Sequence, residues 1–310
     1  MAHPNTKLLL SVVSPVYQAD QLLDELLGRL AKALAPLTTA YEIILVDDGS
    51  PDESWDLIQR YAAHDSRIRG IRLSRNFGQH HAITAGLDAA QGEWIVVMDC
   101  DLQDRPEEIP ALYQHAQMGH DVVLASRTTR QDSWFKRTLS CGFYTVLSYL
   151  TDTCQDPTVA NFGIYHHRVI EAILQLHESI RYFPTMVRWV GFRQITLSVQ
   201  HAAEGRPSTY SLTRRLRLAT DIMLASSDKP LRLMACLGLL LSGSAFLLGV
   251  ITLIRFALGQ ITVPGYISLF IAISFFSGLI ILVLGVVGLY VGKIFESVRH
   301  RPLYVVAATT

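Results

Sequence analysis

Apolar and polar positions alternate in blocks along the first two thirds of the chain. Five short apolar runs, at 8–14, 42–46, 68–73, 94–98 and 121–125, are each bounded by turn residues and predict strands. Between them, segments with helical periodicity lie at 21–34, 52–64, 79–91 and 106–118. Strand–helix alternation at this spacing implies an α/β fold, a mostly parallel sheet with helices on both faces. Ligands of such sheets bind at the carboxyl ends of the strands. The first apolar run has polar breaks and no small-residue cleavage site, so it predicts a buried strand rather than a signal peptide.

The last third changes character. Residues 233–254 are 22 positions without a charge, and residues 256–292 are 37 more, broken by Gly259-Gln260 and Pro264-Gly265. One bilayer crossing takes about 20 apolar residues. Two transmembrane helices are therefore predicted, at 232–257 and 266–292, joined by a short turn. A buried core hairpin is the competing reading, but both runs exceed what a globular core requires. Lys229 and Arg232 precede the first span, and Lys293, Arg299 and Arg301 follow the second, whereas 258–265 carries no charge. The positive-inside rule places both chain ends in the cytoplasm, although Arg255 lies at the other end of the first span. Gly285, Gly288 and Gly292 would let the second helix pack closely on a neighbour. Residues 208–228, with Arg214, Arg215 and Arg217 among leucines, suit a helix at the membrane interface or one packed on the soluble domain. The expected organisation is a cytoplasmic domain over 1–207, an amphipathic segment over 208–231, a transmembrane hairpin over 232–292 and a cytoplasmic tail over 293–310.

Composition narrows the class. Half of the 310 residues are hydrophobic and 17% are charged, against roughly 25% in ordinary domains. Mean hydropathy is +0.26. Disorder, a collagenous chain and a disulfide miniprotein are excluded. Lys+Arg and Asp+Glu both total 27, so no global basic field points to nucleic acid. Cys100, Cys141, Cys154 and Cys236 form no Cys-x-x-Cys pair and read as reduced cytosolic thiols.

Two acidic clusters fall at predicted strand ends. Asp47-Asp48-Gly49-Ser50 follows the second strand. Its carboxylates can accept from a nucleobase imide or a ribose hydroxyl, while Ser50 or Asp52 could cap a helix starting near Pro51. Asp99-Cys100-Asp101 follows the fourth strand. Paired hard oxygens there suit Mg²⁺ or Mn²⁺ shared with substrate phosphates. Arg75 and Arg127 follow strands, and Arg206 lies in a loop before the basic segment; all three could meet phosphate. The neighbouring pairs His80-His81 and His166-His167 diverge on any element and are not read as a metal site.

These residues carry a family resemblance. Ser14-Pro15-Val16-Tyr17, Asp47-Asp48-Gly49-Ser50, Arg75-Asn76-Phe77-Gly78-Gln79 and Asp99-Cys100-Asp101-Leu102-Gln103-Asp104 resemble the polyprenyl-phosphate glycosyltransferases. These are inverting enzymes of the GT-A fold that include dolichyl-phosphate mannose synthases. Arg130-Gln131-Asp132-Ser133-Trp134-Phe135-Lys136 and the two-helix anchor are most similar to bacterial undecaprenyl-phosphate aminoarabinose transferases. The resemblance implies a nucleotide-sugar donor, UDP-linked, an undecaprenyl-phosphate acceptor, a place in the bacterial inner membrane among its lipids, and a homotetramer. It implies that Asp48 binds the base with Pro15 and Tyr17, in a donor site that also takes in Asp47, Arg75, Gln79 and Asp99. Asp99 and Asp101 would hold Mg²⁺ or Mn²⁺ and the donor diphosphate. Arg127, Arg206, Ser208 and Tyr210 would handle phosphate at the membrane face, with Asp101, Asn161 and Arg127 nearest the reaction.

Three departures stand out. Family members often have Gly-Asp-Phe-Arg where this chain has Ala160-Asn161-Phe162-Gly163, so the usual candidate base is an amide. Ser208-Thr209-Tyr210 stands for Ser-Lys-Tyr, and Arg105-Pro106 for Pro-Pro. Two other readings compete. A processive polysaccharide synthase would carry Gln-x-x-Arg-Trp, but Thr185 precedes Arg188-Trp189 and the spans are too few for a secretion channel. A catalytically silent membrane scaffold is motivated by Asn161 and opposed by the intact Asp99 and Asp101.

Overall fold

A computed structural model of the chain describes residues 8–127, 159–176, 181–199, 229–260, 265–299 and 301–310. It divides into two units. One holds the sheet together with residues 301–310, and the other holds two long helices.

The expected strands form as β1 (Leu10–Val16), β2 (Tyr41–Asp47), β3 (Ile68–Leu73), β4 (Trp94–Val97) and β5 (Val122–Arg127). The expected helices form as α1 (Leu23–Leu34), α2 (Ser54–His64), α3 (Gln79–Ala89) and α4 (Ile109–Gln117), the last entered through a 3₁₀ turn at Pro106–Glu108. Beyond β5 the structure adds elements that apolar periodicity did not separate: β6 (Val159–His166), α5 (His167–Leu174), α6 (Phe183–Trp189) and β7 (Gln194–Val199). Residues 301–310, read from sequence only as a tail, supply β8 (Val306–Thr309).

The eight strands run in the order β7-β5-β6-β4-β1-β2-β3-β8. Pairs β1–β2, β1–β4, β2–β3 and β5–β7 are parallel; β6 lies antiparallel between β4 and β5, and β8 antiparallel on β3. All seven residues of β1 and of β2 are buried, because the sheet is covered on both faces. Alternation sorts their side chains: Ile43 and Leu45 join one core with α1 and α2, and Ile44 and Val46 join the other with α3. On α1 the spacing of Leu23, Leu26, Leu27, Leu30 and Leu34 puts one apolar stripe against the sheet.

Buried polar groups at the amino ends of the strands bond to one another. Ser11 donates to Glu42 Oε1 at 2.6 Å, and Arg69 pairs with the other Glu42 oxygen at 2.8 Å. The Gln91 amide also donates to Glu42. This network ties β1, β2 and β3 at their amino ends, opposite the acidic clusters.

In the second unit, α7 (Lys229–Ala257) and α8 (Tyr266–Val298) have 29 and 33 residues. At 1.5 Å per residue they measure about 44 and 50 Å, against a hydrocarbon core of about 30 Å. Both are long and apolar enough to cross a membrane, and none of either apolar window, Leu231–Leu248 and Phe275–Phe295, is buried. The buried-hairpin alternative is thereby set aside. Both helices run past the expected limits, the first by three residues at its start and the second by six at its end. A Cβ at Gly285, Gly288 or Gly292 would meet nothing within 4 Å, so these glycines face open space rather than α7.

Candidate active site

The order of the strands sets where a ligand can enter. From β1 the chain moves one way to β2 and β3, then returns to β4 on the other side of β1. A crevice opens at such a reversal, beyond the carboxyl ends of the strands. Tyr17 follows β1 there, Asp48 follows β2, Arg75 follows β3 and Asp99 follows β4. Val97 lies opposite Gly163 in the antiparallel β4–β6 pair, and two residues further on each strand are Asp99 and Asn161, so both stand at this same end. Arg127 ends β5, with its backbone beside Val199 of β7. Arg206, Ser208, Tyr210, the 208–228 segment and the Arg130–Lys136 tract lie outside the described residues.

The backbone is strained on both sides of the crevice. Among the described residues, Gln18 and Leu102 are the non-glycine positions with positive φ, at 53° and 61°. Gln18 lies just past β1 and Leu102 just past Asp101. Such conformations cost of order 1–3 kcal/mol each and persist where the surroundings hold them. The buried Leu102 side chain, anchored in the core, is that hold.

The first acidic cluster turns inward. Asp47 is fully buried; the Ser50 amide donates to its Oδ1 at 3.0 Å, and Arg72 Nε stands 3.4 Å from Oδ2. Burial raises its carboxyl pKa, against the lowering effect of Ser50 and Arg72. Asp47 therefore closes its own turn through the Ser50 amide. Asp48 is 3% exposed. The Phe77 amide donates to its Oδ1 at 2.7 Å and the Gly78 amide to its Oδ2 at 2.9 Å. Burial is again the largest effect and raises its pKa, while the two amides lower it. Both Asp48 oxygens accept from the 74–78 loop and fix it beside the carboxyl end of β2.

Gly49 makes the arrangement possible. Its φ is +67°, and a Cβ there would stand 2.6 Å from the Arg75 carbonyl carbon and 2.8 Å from the Asn76 nitrogen. Of the two expected caps Asp52 is the one that reaches α2: its Oδ1 accepts from the amide of Ser54, the first residue of that helix, at 3.3 Å. Ser50 Oγ instead accepts from the Gln18 amide at 3.2 Å, and Ser54 Oγ from the Ala19 amide at 3.1 Å. These hydroxyls bind the loop after β1 to the loop after β2.

The second cluster faces outward. Gln79, the first residue of α3, donates its side-chain amide to Asp99 Oδ1 at 2.6 Å. Asp101 is exposed, and its Oδ1 accepts from the Gln103 amide at 3.0 Å. The bonds from Phe77 and Gly78 to Asp48, the backbone on to Gln79 and the Gln79–Asp99 bond thus form one chain of contacts. It links the ends of β2 and β4 across β1. Resemblance alone points to Gln79; no local pattern marks its contact with Asp99, because the two are 20 residues apart. Around this chain, Pro15 is buried in β1, Tyr17 is 45% exposed, and the exposed Arg75 guanidinium lies over the Phe77 ring at 4.1 Å.

The donor set fits a hard divalent cation. Two carboxylates leave room for phosphate oxygens and water, the usual Mg²⁺ pattern. Among the described residues no three His, Cys, Asp or Glu side chains gather into a larger metal cluster. His80 packs edge-on against Tyr182 with ring centroids 4.8 Å apart, and burial pushes its pKa down to about 4, so the imidazole is neutral. Cys100 and Cys236 are free thiols, and burial pushes Cys100 up to about 12. Cys141 and Cys154 lie outside the described residues.

Residues 11–173 match the model of the family described as Glycosyl transferase family 2. The undecaprenyl-phosphate 4-deoxy-4-formamido-L-arabinose transferase of Proteus mirabilis is 37% identical over 298 residues, covering 95% of this chain and 91% of that protein. The uncharacterized glycosyltransferase YkcC of Bacillus subtilis is 36% identical over 300 residues, covering 96% and 92%. The solved structure of S. aureus TarS 1–349 with UDP-GlcNAc superposes with a TM-score of 0.49 at 19% identity, over 71% of this chain and 66% of that one.

Proposed function

The chain belongs to glycosyl transferase family 2, and from that membership we propose that it transfers a sugar from a UDP-linked donor to undecaprenyl phosphate. The observation that carries the reading is likeness across nearly the whole chain, long apolar helices included, to transferases named for that acceptor. The two membrane-length helices support a location in the bacterial inner membrane. The basic residues at the ends of the hairpin and the uncharged 258–265 turn favour a cytoplasmic catalytic domain. Resemblance to bacterial members supports a homotetramer. The sheet unit is the transferase domain, and the product serves envelope glycan or lipid A modification.

In this reading Tyr17 and the loop held by Asp48 receive the nucleotide, with Arg75 beside it. Asp99 and Asp101 hold Mg²⁺ or Mn²⁺, and Gln79 keeps Asp99 in place. The bound cation supplies charge neutralisation to the leaving diphosphate. Arg127, Arg206, Ser208 and Tyr210 bind phosphate groups of donor and acceptor. An oxygen of the lipid phosphate forms a bond to the anomeric carbon as the bond to the diphosphate breaks. The nucleoside diphosphate departs, and the anomeric configuration inverts in one in-line displacement.

Asn161 is compatible with this chemistry. A phosphate monoester has a second pKa near 6, so the acceptor is largely a dianion at neutral pH and attacks without a strong base. Asn161 then orients the acceptor or a sugar hydroxyl. Asn161→Ala is expected to lower kcat about tenfold, the worth of one positioned hydrogen bond, with donor binding retained. An unchanged kcat would remove Asn161 from the site.

The test uses the full chain in detergent with undecaprenyl phosphate, Mg²⁺ or Mn²⁺ and a panel of nucleotide sugars. Nucleotide release and the mass of the lipid product are both followed. A metal-dependent glycosylated lipid phosphate is the expected result. Nucleotide release without that lipid would mean another acceptor, and nucleotide binding without turnover would favour the silent scaffold.

A further inference from the structure

The chain leaves the sheet after β7, and residues 301–310 come back to it as its outermost strand. There β8 lies antiparallel on β3, with Ile71 opposite Thr309, Arg72 opposite Ala308 and Leu73 opposite Val306. The Gly70 amide donates to Thr310 Oγ1 at 2.8 Å, and the Thr310 amide donates to the Gly70 carbonyl at 3.1 Å. One bond reaches past the strand: the Ser74 amide donates to the Val305 carbonyl at 2.8 Å. Tyr304 donates from its hydroxyl to Asp88 Oδ2 of α3 at 3.2 Å, and its ring packs on the core beneath that helix.

The loop from Ser74 to Gly78 is thus held from two directions. Asp48 and Gly49 hold its far end, through the Phe77 and Gly78 amides and contact with the Arg75–Asn76 peptide. Residues 304–305 hold its near end and the helix that follows. That helix begins with Gln79, which holds Asp99. The strand itself buries little: three of its four residues are exposed. Its contacts therefore contribute modest core stability but an ordered entry to the loop.

We infer that the C-terminal strand is a positioning element for the donor site, ordering the 74–78 loop through the Val305–Ser74 bond and the Tyr304–Asp88 contact. The functional side of this inference rests on the nucleotide-sugar reading. Its structural side does not.

The experiment compares the full chain in detergent with a form ending at Pro302, with full-length Tyr304→Ala, and with the truncated form given a synthetic peptide of residues 303–310. Hydrogen exchange is followed over 74–79 and, as reference, over β1 and β2. UDP affinity is measured with Mn²⁺ present. Truncation is expected to speed exchange at 74–79 while leaving β1 and β2 unchanged, and to weaken UDP binding roughly five- to tenfold, about the worth of one or two lost hydrogen bonds. Tyr304→Ala should move both readouts the same way by less, and the peptide should restore them. Unchanged exchange at 74–79 in the truncated form would overturn the inference. So would equally faster exchange across the whole sheet in both variants, which would make the strand a general stabiliser. Absence of UDP binding by the full chain would count against the donor reading alone, and exchange would still decide the role of the strand.

Discussion

Asp101→Ala is expected to lower formation of the lipid-linked sugar by about a thousandfold, with the folded state nearly unaffected. Losing the charge stabilisation of a leaving oxygen, here by the cation that Asp101 would hold, typically costs roughly a hundred- to a thousandfold in rate. The other half of the expectation comes from the position of the residue. Asp101 is exposed and spends its carboxylate on one local bond, to the Gln103 amide. A surface substitution of that kind changes stability by about 0.5 kcal/mol or little more. Activity and thermal unfolding should therefore part company. Initial rates at saturating Mg²⁺, set beside a melting curve, make the check. A rate within a few-fold of the parent would take Asp101 out of the metal site. A collapse of the melting temperature would make its role structural.

Asp48→Asn should do the opposite and damage stability and donor binding together. The carboxylate accepts two backbone amides, from Phe77 and Gly78, and both oxygens are used. Asparagine keeps the shape but sets an NH₂ against one of those N–H groups. Bonds to a charged acceptor contribute about 1.5–3 kcal/mol each, and a stranded buried amide costs about as much again. Relief of the buried charge offsets part of this. A net loss of about 2 kcal/mol in urea unfolding is expected. The UDP-sugar KM should rise at least about tenfold, because the freed loop carries Arg75 and leads into Gln79. Wild-type stability in the variant would mean that the loop holds itself. Impaired kcat with normal KM would place Asp48 nearer the chemistry than its 3% exposure permits.

Much of this molecule is legible along the chain. Strands β1 to β5 and helices α1 to α4 fall close to the apolar runs that predict them, because period and turn residues are local properties. Both long helices are evident as uncharged runs. The acidic clusters land at strand ends, where Asp-Gly-Ser and Asp-x-Asp follow runs of Ile, Leu and Val. Residues after 158 are harder. Strand β6 enters antiparallel between β5 and β4, and a short apolar run cannot declare its partner or its direction.

What the sequence determined by itself was therefore the inventory: a strand–helix domain, acidic groups at one end of its strands and a pair of bilayer-length helices. Tertiary structure decided what those acidic groups do. Asp47 and Asp48 read alike as adjacent carboxylates, yet one closes its own turn and the other holds a loop 29 residues away. Asp99 acquires Gln79, and the last strand reaches Gly70 across a separation of 240 residues. Local pattern reports how a segment buries its apolar face. Which distant amide a buried carboxylate satisfies depends on the chain having closed around it, where an unpaired polar group costs too much to leave alone.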